Sequence, residues 1–319
     1  MKIVVTGGAG FLGSRVIQRL LERKDRGEGV VDFDEIVSVD LAESPVEDAR
    51  VRSVVGNIAD PELISSVITA DTVGVFHLAA ILSGGSEDDF DLAIKVNVEG
   101  TRALLETARA TGVRPRFVFT SSLAVFGGEM PDVVPETLAT RPESTYGAVK
   151  AIGELLVNEY SRKGFIDGRV CRLPTISVRP GKPNSAASSF ASGLIREPLN
   201  GISSVCPVPF ETRMWLSSPD AAVANLVHAF EVEGELLGQW RTLNIPGITV
   251  TVGDMLDSLT RVGGQAARDL VTLAHDERIF AIVGSWPGKF DVARPVELGF
   301  VRDVEFDDVV RQYRDEFVA

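Results

Sequence analysis

The stretch TGGAGFLG (residues 6–13) indicates the fold of the chain. It follows the apolar run KIVVT and leads directly into FLGSRVIQRLLERK, whose apolar residues recur at the spacing of a helix. Gly7, Gly10 and Gly13 lack a Cβ, which permits a tight turn and lets a pyrophosphate approach backbone N–H groups at the start of a helix. Because these glycines stand between a strand and a helix, the stretch predicts a dinucleotide-binding loop rather than a turn without a ligand.

The same alternation continues through the first half of the chain. Apolar runs separated by stretches of helical period predict strands at 2–6, 35–40, 51–56, 73–80, 116–122 and 168–174. Strands that are nearly continuous in apolar residues belong to parallel sheets with helices on both faces. The expected fold class is therefore α/β, with a doubly wound parallel sheet of the Rossmann kind.

The pattern changes after Leu173, where an irregular stretch reaches about Arg213 and short helices and strands follow. We predict that residues 1–173 form the dinucleotide-binding domain and that parts of 214–247 return to it. Residues 174–319 are predicted to form mainly a smaller substrate-binding lobe at the carboxyl edge of the sheet.

Composition narrows the classes of function. The net charge of −13 disfavours binding to nucleic acid or anionic membrane, so neither partner is expected, and an anionic substrate needs locally placed positive groups. Cys171 and Cys206 are too few for a disulfide framework and are predicted to be buried. The sequence shows no signal peptide, no long apolar stretch and no metal-site spacing, so a cytoplasmic protein without a metal is expected.

The cofactor is predicted from the end of the second strand. Asp40 lies where a carboxylate can hydrogen-bond the adenosine ribose hydroxyls and repel a 2′-phosphate. The following residues, LAES, include no arginine or lysine that would favour that phosphate. NAD is therefore predicted in preference to NADP, with the alternative that Asp40 only caps a turn. Asn57 and Ile58, after the third strand, are predicted to meet the adenine.

Candidate proton-transfer residues occur in STYGAVK and FTSS. Tyr146 and Lys150 are four residues apart at the start of a predicted helix, so their side chains share one face. An ammonium group beside a phenol stabilises the phenolate and lowers the pKa of the phenol, which lets the pair transfer a proton. Ser122 ends the fifth strand at the same edge of the sheet, where its hydroxyl is placed to hydrogen-bond a reacting hydroxyl group.

These segments together carry a family resemblance. TGGAGFLG, HLAA (77–80), NVEGT (97–101), FTSS and YGAVK resemble the extended short-chain dehydrogenase/reductases, which include nucleotide-sugar epimerases and dehydratases. The resemblance implies that Tyr146 is the catalytic acid/base and that Ser122 orients the substrate. It further implies that Lys150 bonds the nicotinamide ribose and that Asn97 positions a water connecting Lys150 to solvent. Additional cofactor contacts are implied for Phe11, Leu12, Leu78, Ala79 and Ala80.

The chain departs from the family pattern at two positions, and the resemblance also implies how the protein assembles. VFG (125–127) replaces the frequent VYG, and Asn57 stands where many members have Asp. Neither departure touches the proton-transfer residues. Relatives often pair through helices near 100–110 and 147–160, so a homodimer is expected.

Three classes of function are compatible with these motifs: a nucleotide-sugar epimerase or dehydratase, a dehydrogenase of a small sugar acid, and a non-catalytic NAD-sensing protein. The intact Tyr146, Lys150 and Ser122 disfavour the last of these. Segments 172–199 and 206–219 resemble extended members that oxidise the C2 hydroxyl of a four-carbon aldonic acid, with a hexuronate as an alternative substrate. The expected substrate is therefore a small anionic sugar acid.

Within the stretch PTISVRPGKPNSAASSF (174–190), residues 179–189 are the predicted substrate loop. A guanidinium can bind a carboxylate bidentately, and the candidates are Arg179 and Arg213, with Lys182 as a third cation. Arg179 is equally compatible with a structural ion pair, and Arg213 matches an arginine that holds substrate phosphates in nucleotide-sugar relatives. The residues predicted to bind substrate hydroxyls are Ser83, Asn184 and Ser189. The residues predicted to lie beside the cofactor are Pro174 and Thr175.

Overall fold

The fold was analysed in a computed structural model, which describes residues 1–181 and 186–318. Its strands are β1 Lys2–Thr6, β2 Glu35–Asp40, β3 Val51–Val55, β4 Thr72–His77, β5 Arg116–Ser122, β6 Asp167–Leu173, β7 Thr175–Ile176, β8 Ser204–Cys206, β9 Arg213–Ser217, β10 Thr242–Asn244, β11 Ile248–Thr251 and β12 Val271–Leu273. The predicted strands of the first half thus coincide with β1 to β6 to within a few residues.

The helices connect these strands. The α-helices are α1 Phe11–Asp25, α2 Pro61–Val67, α3 Ser83–Asp88, α4 Phe90–Ala93, α5 Thr101–Thr111, α6 Thr145–Arg162, α7 Ser189–Leu199, α8 Pro219–Glu231, α9 Val252–Gly263, α10 Gln265–Arg268, α11 Glu277–Val283, α12 Ala293–Glu297 and α13 Phe306–Phe317. A π-helix spans Ile94–Gly100, and short 3₁₀ helices span Leu123–Val125 and Gly234–Leu237. The π-helix therefore joins the end of α4 to the start of α5.

The large sheet has seven strands in the order β10, β6, β5, β4, β1, β2, β3, and all its pairings are parallel. This order, with a reversal between β1 and β4, is that of dinucleotide-binding sheets and confirms the predicted doubly wound fold. The strand predicted to reach residue 80 ends at His77, because the N–H groups of Leu78 and Ala79 turn to the carbonyl of Thr6.

Two apolar cores lie on opposite faces of this sheet, as alternation along each strand requires. Ile3 and Val5 of β1 face a core shared with α1 and α8, whereas Val4 faces a core shared with α2 and α5. These three side chains are fully buried. Burial on both faces explains why the strands are apolar almost without interruption.

The second half of the chain builds a smaller lobe and also extends the large sheet. In the lobe, β7, β9 and β11 form one sheet and β8 pairs with β12, over a core that includes residues of α7, α9 and α13. β10 pairs with β6 as the seventh strand of the large sheet, and α8 packs against α1. The domain division at residue 173, with parts of 214–247 returning, stays a prediction. Among the helices of the described residues, none is long and apolar enough to cross a membrane.

Candidate active site

A pocket of about 340 Å³ opens at the carboxyl ends of β1, β4, β5 and β6. In sheets of this class, ligands bind in the crevice where the strand order reverses. The predicted site residues that line it are Gly7, Gly10, Phe11, Leu12, Gly13, Leu78, Ala80, Ser83, Ser122, Tyr146, Lys150, Pro174, Thr175 and Arg179. The fold thus brings together the glycine loop, the proton-transfer residues and the beginning of the substrate loop.

The glycine loop is a tight turn that side chains would obstruct. A Cβ at Gly13 would overlap the carbonyl oxygen of Gly7, and a Cβ at Gly7 would lie 2.7 Å from the amide nitrogen of Ala79. Gly7 also has a positive φ of 75°. Gly10 is the N-cap of α1, so the first N–H groups of that helix point into the pocket without helical partners. This cradle fits the pyrophosphate of a dinucleotide.

Asp40 stands beside this loop at the end of β2. One carboxylate oxygen accepts a hydrogen bond from the amide of Ala9 at 3.0 Å, and the other accepts one from the amide of Leu41 at 2.7 Å. Asp40 therefore holds the glycine loop in place, and each of its oxygens retains a lone pair for a ribose hydroxyl. The predicted ribose contact stays a prediction.

The two predicted adenine residues lie outside the pocket lining. The side-chain oxygen of Asn57 accepts a hydrogen bond from the amide of Ala59, and Ile58 is buried with its side chain near Gly100. Their adenine contact also stays a prediction.

Tyr146 and Lys150 occupy the first turns of α6 and face the end of β5. Ser122 and Tyr146 both line the pocket, and the ammonium of Lys150 lies 5.8 Å from the centre of the Tyr146 ring. Lys150 also donates to the carbonyl of Thr120 at 2.7 Å. Gly147 allows this close packing, because a Cβ there would overlap the carbonyl oxygen of Ala124.

Burial disfavours the charged form of both proton-transfer groups. It raises the pKa of Tyr146 to about 12, whereas the hydrogen bond from Ser122 and the charge of Arg179 act to lower that pKa. Burial lowers the pKa of Lys150 to about 7, and the charge of Glu154 acts to raise it. The phenolate and the ammonium therefore depend on the partners that this site provides.

A buried polar network lies behind the proton-transfer residues, and the sequence reasoning missed it. Glu154, one turn after Lys150, accepts hydrogen bonds from Ser121 and from the guanidinium of Arg172. Arg172 also donates to the carbonyl of Glu136 at 3.1 Å. An arginine in the middle of the apolar run GRVCRLP was the available signal, since a charged residue in a buried strand requires a partner.

Asn97 and His77 fix the loops around the pocket. The amide of Asn97 donates to the carbonyl of Ile81 at 3.0 Å and accepts from its N–H at 2.8 Å. The water contact predicted for Asn97 stays a prediction. His77 is buried between the hydroxyls of Thr6 and Thr101, each 2.8 Å from a ring nitrogen, and burial lowers its pKa to about 3.

The part of the pocket beside the predicted substrate loop is held by hydrogen bonds to α7 and α3. The amide of Arg179 donates to Ser192 at 3.0 Å, and its carbonyl accepts from Arg196 at 2.7 Å. Burial, followed by the charge of Arg196, lowers the pKa of the Arg179 guanidinium. Ser83 accepts a hydrogen bond from the amide of Ala187 at 2.9 Å, which joins α3 to the substrate loop.

Several predicted residues are not brought into this pocket. Arg213 lies on β9, where its guanidinium pairs with Asp132 at 2.7 Å and remains largely exposed. Ser189 begins α7 next to Ser188, which lines the pocket. Ala79 lies behind the glycine loop. Lys182 and Asn184 lie outside the described residues.

Trp286 is a lining residue that the site prediction omitted. It belongs to the turn SWPGKF in the smaller lobe and packs against an apolar cluster that includes Phe290 and Trp215. The sequence offered only a weak signal, since one tryptophan in a turn is as compatible with a core position as with a binding site.

Comparison with known proteins agrees with this geometry. The family model described as "NAD dependent epimerase/dehydratase family" matches residues 3–235. A D-erythronate dehydrogenase from Cupriavidus necator is 50% identical over 99% of this chain and 98% of its own length. A second D-erythronate dehydrogenase, from Haemophilus influenzae, is 46% identical over 98% of this chain and 98% of its own length.

A solved structure is similar over almost the whole chain. A protein from Agrobacterium tumefaciens, described as a nucleoside-diphosphate-sugar epimerase, has a TM-score of 0.92 and 37% identity. The similarity covers 99% of this chain and 94% of that one. The resemblance inferred from the motifs is confirmed, and the chain belongs to the NAD dependent epimerase/dehydratase family.

Proposed function

We propose that this protein is an NAD-dependent dehydrogenase that oxidises the C2 hydroxyl of D-erythronate to the 2-oxo acid. The observation that carries the proposal is the end-to-end similarity to two D-erythronate dehydrogenases, at 50% and 46% identity. The pocket supports it, since Tyr146, Lys150 and Ser122 meet there with the cation of Arg179.

The residues of the glycine loop fit NAD. The first N–H groups of α1 would hold the pyrophosphate, Asp40 the adenosine ribose, and Lys150 the nicotinamide ribose, with Pro174 and Thr175 beside the nicotinamide. Bound NAD supplies the acceptor for the hydride that leaves C2 of the substrate. The carboxylate of Asp40 would repel the 2′-phosphate of NADP.

The protein contributes proton transfer and orientation. Tyr146, as phenolate, takes the proton of the C2 hydroxyl while Ser122 hydrogen-bonds the same oxygen. The ammonium of Lys150 stabilises the phenolate before that transfer. Arg179 binds the substrate carboxylate, and Ser83 or nearby loop residues bind the remaining hydroxyls.

Arg179 is a better candidate for the carboxylate than Arg213. Arg179 lines the pocket, and its charge reaches Tyr146. Arg213 is paired with Asp132, is largely exposed and does not line the pocket. The sequence leaves open which arginine binds the carboxylate. We propose Arg179 because of its proximity to the phenol of Tyr146.

One observation favours a second candidate function. The similar structure from Agrobacterium tumefaciens is described as a nucleoside-diphosphate-sugar epimerase. A nucleotide-sugar enzyme also uses a Tyr and Lys pair of this kind, so the pair by itself does not separate the two substrates.

The deciding experiment measures NADH formation with D-erythronate, L-threonate and a hexuronate, and conversion of the sugar with UDP-glucose, because epimerisation or dehydration returns the hydride to the sugar and leaves no net NADH. We expect turnover with D-erythronate and none with UDP-glucose. Turnover of UDP-glucose alone would overturn the proposed substrate. NAD binding without turnover of any of these compounds would support a non-catalytic role.

We also propose a cytoplasmic homodimer. Cys171 and Cys206 are buried free thiols, as is usual in a reducing compartment. Leu155 and Ile152 are 58% and 39% exposed on α6, one of the helices through which relatives often pair. Sedimentation of the wild type beside Leu155→Glu tests the dimer, and a monomeric wild type would contradict it.

A further inference from the structure

A buried ion pair lies one turn below Lys150 on the same face of α6. The guanidinium of Arg172 and the carboxylate of Glu154 are 2.7 Å apart, and each side chain is only 2% exposed. Burying two charges is costly unless their geometry and further hydrogen bonds compensate. A similar volume of apolar side chains would fill the same space, so the charges themselves require an explanation.

The carboxylate of Glu154 is connected to both proton-transfer groups through β5. It accepts a hydrogen bond from Ser121 at 2.5 Å. The residue before Ser121, Thr120, accepts from the ammonium of Lys150. The residue after it, Ser122, lines the pocket with Tyr146 and acts to lower the pKa of the phenol. Glu154 therefore holds the carboxyl end of β5 in place, and that strand end positions Lys150 and Tyr146.

Glu154 also supplies negative charge near Lys150. The charged and titratable groups packed around Lys150 come from several elements: Tyr146 and Glu154 from α6, Arg172 from β6, and His77 from β4. His77 is neutral at ordinary pH because burial lowers its pKa to about 3. Phe119 of β5 presents its ring 4.8 Å from the ammonium. Lys95 and Glu99 of the neighbouring π-helix are exposed. The charge of Arg179 acts to lower the pKa of Tyr146.

We propose that Glu154 is a positioning residue that keeps the positive charge on Lys150, so that the Tyr146 and Lys150 pair ionises as phenolate and ammonium. This proposal rests on the role given to the pair in the proposed function. Arg172 compensates the charge of Glu154 and is itself held between the carboxylate and the ring of Phe126, 4.6 Å away.

The consequence for pH dependence follows from counting protons. The fully protonated pair loses one proton either from Tyr146, which gives the active phenolate, or from Lys150, which gives an inactive phenol and amine. A change that lowers the pKa of Lys150 increases the fraction of the pair that is in the inactive form, with a phenol and an amine. Turnover on the high-pH plateau then falls, and the apparent pKa of the rate profile falls with it. Turnover at low pH is unchanged, because it depends only on the acidity of Tyr146.

The test is the pH profile of kcat for Glu154→Gln, which preserves shape and removes the charge. We expect the high-pH plateau to fall about tenfold and the apparent pKa to fall by about one unit, with the low-pH limbs superimposed. Ser121→Ala is the matched control, since it removes a hydrogen bond and retains the charge, and its profile is expected to fall uniformly. A uniform fall in Glu154→Gln as well would overturn the proposal.

Two further measurements keep the test decisive. If Glu154→Gln does not fold, Glu154→Gln combined with Arg172→Gln removes both charges. This double variant is expected to change the profile in the same direction but by less, because the positive charge of Arg172 is lost as well, while Glu154→Asp restores the plateau. Titration of phenolate absorbance with NAD bound, with Tyr146→Phe as the blank, needs no substrate. Less phenolate at the plateau pH in Glu154→Gln supports the proposal even if D-erythronate is not the substrate, and an unchanged titration contradicts it.

Discussion

The two ends of the pocket are built in different ways. At the cofactor end, backbone groups of β1 and α1 form the surface, and added Cβ atoms at Gly7 or Gly13 would collide with neighbouring backbone. At the substrate end, side chains such as Arg179 and Ser83 project from an irregular segment and a short helix, held by hydrogen bonds to α7 and the substrate loop.

The two kinds of construction tolerate substitutions to different degrees. A backbone cradle accepts few substitutions, because its shape leaves no room for a side chain. Side-chain contacts on a loop can be exchanged without disturbing the sheet. The cofactor end therefore fixes the kind of chemistry, and the substrate end selects the molecule that undergoes it.

The two ends meet at Tyr146, and removing its hydroxyl separates binding from chemistry. Tyr146→Phe is expected to lower kcat about a thousandfold while NAD affinity stays near the wild-type value, because a general base is lost without a change in shape. Steady-state kinetics and NAD titration measure the two effects. Tyr160→Phe is the control, since the Tyr160 hydroxyl bonds Glu106 away from the pocket. Near-normal turnover of Tyr146→Phe would remove this residue from the mechanism.

The cofactor end is tested by adding one methyl group. Gly13→Ala would place a Cβ against the carbonyl of Gly7, and the resulting shift of the loop is expected to weaken NAD binding about a hundredfold. Isothermal titration with NAD measures this loss. Gly29→Ala, whose Cβ would have its nearest neighbour at 3.8 Å, serves as the control. Equal NAD affinity in the two variants would show that the cradle is not tight.

The substrate end is tested by removing its cation. Arg179→Gln is expected to lower kcat/KM for D-erythronate between about tenfold and a hundredfold, which is the value of a charge-assisted hydrogen bond, and to leave NAD affinity unchanged. Arg213→Gln is expected to have little effect, because its guanidinium pairs with Asp132 outside the pocket. If the two variants exchanged these effects, the carboxylate would belong to Arg213.

At Asp40 we propose a side-chain contact with the cofactor, which is an exception to the difference between the two ends. Asp40→Ala is expected to weaken NAD about tenfold and NADP much less, since the substitution removes both a ribose hydrogen bond and a repulsive charge. Competition of the two cofactors in a binding assay measures the ratio. Equal weakening would assign Asp40 only to the glycine loop, through its bond to Ala9.

The smallest effect concerns stability near the cofactor end. Folding lowers the pKa of His77 from 6.5 to about 3, so between these values the unfolded chain binds more protons than the folded one. Stability is then greatest above the unfolded pKa and is lost as pH falls, by about 1.4 kcal/mol per pH unit. Urea unfolding across this range should show a shallower slope in His77→Gln and an unchanged slope in His275→Gln, an exposed position. The same slope in all three proteins would contradict the neutral, buried His77.

Much of the fold could be predicted because its signals are local. β1, the glycine loop and α1 occupy consecutive residues, and the periodicity of each strand and helix is visible within a short window. The motif residues of the pocket were found for the same reason. The π-helical segment was not predicted, because the apolar periodicity of a sequence indicates a helix and not its hydrogen-bond pattern.

The remaining site residues depend on contacts between distant parts of the chain. Nothing local to Arg213 indicates that Asp132 holds it away from the pocket, and nothing local to Glu154 indicates that Arg172 faces it across α6 and β6. Trp286 reaches the pocket from the last fifth of the chain. Such pairings are set by tertiary packing, which one sequence does not display.

The helix α3 has a practical consequence for redesign of the enzyme. Ser83 at its start holds Ala187 of the substrate loop, and Glu87 near its end accepts a hydrogen bond from the amide of Thr145, next to Tyr146. A directed-evolution library confined to residues 174–199 would therefore vary one partner of a bond while keeping the other fixed. Grafting a new loop together with a matching α3 treats specificity as a trait encoded in two segments about a hundred residues apart.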